Sequence, residues 1–340
     1  MLKLGENVAS NHPKIYVPLI IFRVSLRKRA KARKFLKTSI ITESQLKKRE
    51  FWIEKISHLN GNFGIDSDTI EQEISDEIKT EGIDTLLGHL RLCGAIPEIY
   101  GHDSSEEKLY SKYTDIIIHE AYLSLGLNSR VLKERSGFAD VECFTDNYSF
   151  VADAKAFRLS RTAKNQKDFK VSAMNDWKHG KPYAMVVCPI YQLPSRQSQI
   201  YQQARTLSVC IGTYSHLAVL VRFANKKGCK QAIDLLHKIF QSIKSEHPTK
   251  NANDYWQIVN RTMIHFDNSI KNILKYETRA SLESVEICSK ESLSFLKKET
   301  EQIKKLSREA AIEEVLKSRK ITNKIRAINS ACDNGLLSIT

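Results

Sequence analysis

Asp140, Asp153 and Lys155 are the side chains whose types and spacing point most directly to metal-assisted phosphate chemistry. A carboxylate two residues before a lysine is common by chance, and this chain has it at Glu77/Lys79, Glu106/Lys108, Asp153/Lys155, Asp168/Lys170 and Asp176/Lys178. Local structure has to choose among them. Only Asp153-Ala154-Lys155 closes a strand-like run, residues 148–152, and on a strand residues two apart share a face. On a helix the same spacing would splay them by about 200°. If Asp146-Asn147 is a two-residue turn, Thr145 pairs with Tyr148. The same register then sets Asp140 opposite Asp153, and a slip of one residue would destroy the arrangement. Two carboxylates on one patch repel, and one is pushed towards its neutral form. A divalent cation between them removes that cost, and hard oxygen ligands suit Mg²⁺. Lys155 on the same face completes an anion-activating site.

A third carboxylate candidate, Glu120, lies in a predicted helix that starts at Ser104, where Ser104-x-x-Glu107 is a capping box. Ile116, Ile117, Leu123 and Leu127 stand at i−4, i−3, i+3 and i+7 from it. A carboxylate on such a face needs a partner or a metal, unless it reaches solvent from the helix edge. After Lys155, basic residues fall at 158, 161, 164, 167 and 170. A spacing of three drifts by about 60° per step around an α-helix, so a loop or short helix wrapped by phosphates fits better than a surface stripe. Asn165 and Gln166 could read adenine edges, and Arg158 or Arg161 guanine edges, with Lys164 and Lys167 in the same basic segment. A plain solvated turn is the alternative for each.

Behind these residues, the pattern predicts a mixed α/β core at 101–225. Its strand-like runs are 140–144, 148–152, 183–189 and 207–213, with helical stretches at 196–205 and 215–223. A helical segment at 46–100 precedes it, and 226–340 is helical almost throughout. Residues 1–45 read as an attached basic arm. The net charge of +14 is concentrated in two blocks, +8 at 23–37 and +6 at 154–181, which points to a polyanion partner. The longest apolar run near the N-terminus, 17–22, is too short to span a bilayer and lacks a cleavage site. The 7 cysteines include no C-x-x-C pair and suggest reduced thiols in a cytosol. Phosphate-loop, dinucleotide, nucleophile-elbow and H-E-x-x-H motifs are all missing from the sequence. Cys143 follows a strand without an evident histidine base, which favours a structural thiol.

Asp140 followed by Asp153-Ala154-Lys155, with Glu120 upstream on a helix, resembles the PD-(D/E)xK nuclease superfamily. Ala139 stands where the superfamily name has proline. The run 151–171 resembles, more specifically, the HindIII family of type II restriction endonucleases. Weaker similarity covers Gly94-Ala95-Ile96-Pro97-Glu98, Glu107-Lys108-Leu109, Ser198-Gln199-Ile200 and His216-Leu217-Ala218, roughly 90–223 in all. The resemblance implies a small central mixed sheet flanked by helices, and Mg²⁺-dependent hydrolysis of double-stranded DNA. It further implies a homodimer that cuts the palindrome A↓AGCTT to leave 5′ overhangs, and a cognate methyltransferase that protects host DNA in the bacterial cytosol. Asp140, Asp153, the Ala154 carbonyl and Glu120 would hold the metal. Lys155, beside carboxylates, would stay protonated to orient water and stabilise charge. The alternatives are a repair or recombination nuclease of the same superfamily, and a non-catalytic DNA-binding protein.

Overall fold

A computed structural model describes residues 39–59, 61–133, 137–161, 165–245 and 249–330. The basic run at 23–37 and Lys164 lie outside the described residues. Among the described residues, four helices precede the sheet: α1 (Glu43–Ser57), α2 (Phe63–Glu81), α3 (Ile83–Leu92) and α4 (Ser105–Ser124). Helix α1 starts within the segment read as an arm, because Thr42 and Gln45 form a reciprocal capping box. Helix α4 starts where expected, with the Glu107 N–H donating to the Ser104 hydroxyl at 3.2 Å. The Glu107 carboxylate accepts from the Asp103 N–H instead of returning to Ser104, so only half of the expected box forms.

The hairpin has the register that Asp146-Asn147 demands. Strands β2 (Val141–Phe144) and β3 (Ser149–Ala154) run antiparallel, with Val141 opposite Ala152 and Phe144 opposite Ser149. The Thr145 N–H donates to the Tyr148 carbonyl at 2.9 Å. The Thr145 hydroxyl accepts from the Tyr148 and Asn147 N–H groups, tying the turn to its own backbone. A further strand, β1 (Asn128–Val131), pairs antiparallel with β2. Its composition, Asn-Ser-Arg-Val, carries too little apolar signal to be read as a strand. Strands β4 (Tyr183–Cys188) and β5 (Val209–Thr213) add on in parallel, giving a five-stranded mixed sheet in the order β1-β2-β3-β4-β5.

The crossover from β3 to β4 holds a 3₁₀ turn at Gln166–Phe169 and the short α5 (Val171–Asp176). Helix α6 (Gln199–Thr206) links β4 to β5. The remaining helices are α7 (Tyr214–Lys227), α8 (Cys229–Ser245), α9 (Ala252–Phe266), α10 (Ile270–Lys304), α11 (Arg308–Ser318) and α12 (Ile321–Asn329). Helix α4 packs against β1, β2 and β3. There the Tyr122 ring meets Phe150 edge-on at 5.2 Å, and its hydroxyl donates to Met185 Sδ at 3.4 Å. Trp52, Ile117, Val186 and Leu236 share one buried cluster, so the described parts of all three segments after the arm build a single core. The described residues from Ile41 onward form one compact unit.

Candidate active site

Strand β3 ends at the site. Asp153 and Ala154 are its last two residues, and Lys155 follows with its N–H donating to the Val187 carbonyl of β4 at 2.8 Å. Asp140 stands one residue before β2, so the hairpin register carries its carboxylate to Asp153. Helix α4 brings in Asp115. Carboxylate oxygens of Asp115, Asp140 and Asp153 all lie within 4.8 Å of one another. Lys112, one turn before Asp115, donates to Asp140 Oδ1 at 2.6 Å and stands 3.5 Å from Asp115. The Ala154 N–H donates to Asp115 Oδ1 at 3.4 Å. Lys155 Nζ donates to Asp153 Oδ2, while Asp153 Oδ1 is buried without a hydrogen-bond partner.

Those three carboxylates differ in charge state for physical reasons. Burial pushes Asp115 well above the usual carboxylate range, and the nearby charge of Asp140 adds to the shift. Burial also raises Asp153, against the pull of Lys155. Burial works in the same direction on Asp140, but there Lys112 outweighs it and holds the carboxyl below its ordinary value. For Lys155 burial opposes the charge, and Asp153 more than compensates, so the ammonium is retained. A buried cluster of three carboxylates, two pushed up and one held down, with one unpartnered oxygen, is a set of hard donors that suits a cation. The donor set therefore fits a divalent ion of the Mg²⁺ type.

Glu120 stands elsewhere. Five residues beyond Asp115, it is rotated by about 140° around α4. Its carboxylate accepts from the Ser75 hydroxyl of α2. It is buried, so it is neither a member of the carboxylate cluster nor an edge residue reaching water. The third acid of the cluster is Asp115, which sequence reasoning missed, as it missed Lys112. The reason is that α4 is buried continuously from Tyr113 to Tyr122, so no single apolar face marked which acid points to the sheet.

Among the described residues of the basic segment, 156–161 are non-helical and Gln166–Phe169 form the 3₁₀ turn. Within it Arg158 donates to the Gly101 carbonyl at 3.0 Å and pairs with Glu107 at 3.1 Å. Arg161 pairs with Asp168 and lies over the Phe157 ring at 4.0 Å. Both guanidinium groups thus have partners within the chain. Asn165, Gln166 and Lys167 are exposed at the start of the 3₁₀ turn. Cys143 is buried, and burial raises its thiol far above the range of a reactive thiolate, as expected of a structural residue.

A sequence model of the HindIII restriction endonuclease family matches residues 49–332. The chain is 34% identical over 244 residues to the type II restriction enzyme HindIII of Haemophilus influenzae, an overlap that covers 71% of this chain and 81% of that enzyme. Among the described residues, no helix is long and apolar enough to cross a membrane.

Proposed function

The chain belongs to the HindIII restriction endonuclease family and is a type II restriction endonuclease acting on DNA, and from that premise we propose that Asp115, Asp140, Asp153 and the Ala154 carbonyl hold Mg²⁺ for phosphodiester hydrolysis. The observation that carries this is the cluster itself: three carboxylates converge within 4.8 Å, and one of their oxygens is buried and unpartnered. When bound, the ion would polarise the scissile phosphate and neutralise charge on the leaving 3′-oxygen. Lys112 keeps Asp140 ionised and ready to ligate. Lys155 retains its proton, so it serves to orient the attacking water and stabilise phosphate charge, and is not the general base. The water oxygen attacks phosphorus in line, the bond to the 3′-oxygen breaks, and a 5′-phosphate and a 3′-hydroxyl result.

Glu120 contributes at one remove, by fixing α4 to α2 through Ser75. Asn165, Gln166 and Lys167 are exposed and form the proposed DNA-reading edge; Lys164, proposed to act with them, lies outside the described residues. Arg158 and Arg161 shape that loop from within the chain, and a base contact by either would require exchange of its present partner. The target follows from the family resemblance: the palindrome A↓AGCTT in duplex DNA, cut to 5′ overhangs by a homodimer in the bacterial cytosol, with a partner methyltransferase. The test is digestion of a sequenced plasmid with Mg²⁺ and with a chelator. Discrete fragments whose ends map to that hexamer, and none under chelation, are expected. Ends at another sequence would refute the proposed target, and cutting under chelation would refute the metal.

A further inference from the structure

We infer that Tyr214 is a positioning residue for Lys155, holding the backbone from which the ammonium is aimed. Lys155 is the point where the β3–β4 ladder stops. Its N–H still has a ladder partner, Val187, but the strand ends at Ala154 and no carbonyl pairing continues beyond it. The Tyr214 hydroxyl, from the first residue of α7, donates to the Lys155 carbonyl at 3.1 Å. Both polar groups of the Lys155 backbone are therefore held, one by the sheet and one by a helix. The Tyr214 ring is buried.

Gly94 makes room for the ring. A methyl group at residue 94 would stand 3.1 Å from the Tyr214 ring and 2.9 Å from Pro189 Cβ. The Gly94 carbonyl also accepts from the Phe157 N–H at 3.1 Å, and the Ile96 N–H donates to the Phe157 carbonyl at 3.3 Å. Residues 155–157 are thus fixed by β4, by α7 and by the segment after α3. Displacing the chain here by a fraction of an ångström would move Lys155 Nζ relative to Asp153, while the DNA-facing residues 165–167 lie beyond this clamp.

This inference rests on the proposed role of Lys155, and the experiment separates the two. Single-turnover cleavage at saturating Mg²⁺, DNA affinity with Ca²⁺ in place of Mg²⁺, and thermal unfolding are measured for the full chain, for Tyr214→Phe, Gly94→Ala and Lys155→Ala. Tyr214→Phe removes one oxygen and keeps the ring. It should slow cleavage by about 10- to 100-fold, the scale of a small misplacement of a reacting group. DNA affinity should stay within about twofold and the melting temperature within about 2 °C. Gly94→Ala should slow cleavage in the same direction by displacing the ring. If Lys155→Ala abolishes cutting but Tyr214→Phe cuts at the wild-type rate, the inference fails alone. It also fails if the slowing is matched by lost DNA affinity or a collapsed melting temperature, which would make Tyr214 merely structural. If Lys155→Ala itself cuts normally, the reading beneath the inference fails.

Discussion

Asp115 and Glu120 sit on one helix and are both buried acids, yet they touch different things, and substitution should separate them. Asp115→Asn removes an oxygen donor that can ionise when a cation binds, and should reduce cleavage by at least about 100-fold, as loss of a transition-state electrostatic group does. DNA binding measured with Ca²⁺ should remain measurable. Glu120→Gln preserves shape and can still accept from Ser75, so it should cost less than about 1 kcal/mol of stability and leave the cleavage rate within a few-fold. Equal losses in the two variants, both restored by high Mg²⁺, would return Glu120 to the metal site. The pH dependence follows from the signs. Asp115 and Asp153 have raised values, so their contribution to stability is fully present below the unfolded carboxylate pKa and is lost as pH rises through their folded values. Asp140 is depressed, so its contribution is present above the unfolded value and is lost as pH falls through its folded one. A cation needs ionised ligands, so it competes with protons on the two carboxylates whose values are raised. The Mg²⁺-induced rise in melting temperature should therefore be larger at about pH 8 than at about pH 6, and Asp115→Asn should flatten that difference.

At the scale of elements, the site is an intersection of a hairpin and a helix. The hairpin places Asp140 and Asp153 by register, and α4 delivers Asp115 and Lys112 from above β1–β3. Helix α4 is held at its start by one side-chain cap, Ser104 to the Glu107 N–H. Ser104→Ala should cost about 1 kcal/mol, lowering the melting temperature by about 2 °C in a chain of this size. Because Asp115 lies well along the helix and is pinned by the Ala154 N–H, the cleavage rate should hold within about twofold. A rate loss far exceeding the stability loss would mean that the first turn of α4 reports directly to the metal ligands.

At the scale of the whole molecule, a palindrome read by one chain per half-site requires two-fold symmetry, so sedimentation should find a dimer on DNA. The +8 carried by residues 23–37 belongs to an arm proposed to contact phosphates, which add affinity without sequence information. Deleting residues 1–38 should flatten the slope of log affinity against log salt by about 0.9 per lost phosphate contact, with the cut sequence unchanged. A changed cut site, or an unmoved slope, would show that the arm serves folding or dimerisation.

The hairpin half of the candidate site was legible in the chain itself because it is local. The turn residues Asp146-Asn147 dictate a register, the register dictates which side chains oppose, and the period of two puts Asp153 and Lys155 on one face. Strand β1 was not legible, since an edge strand of polar residues is stabilised by its neighbour and not by its own composition. Asp115, Lys112 and the Tyr214 clamp were decided only by tertiary structure. A helix buried on all sides gives no periodic sign of which acid meets the sheet, and Tyr214 reaches Lys155 across 59 residues of sequence. Contacts of that kind are set by the docking of whole elements, which depends on the summed packing of the core and leaves no local mark on the residues that meet.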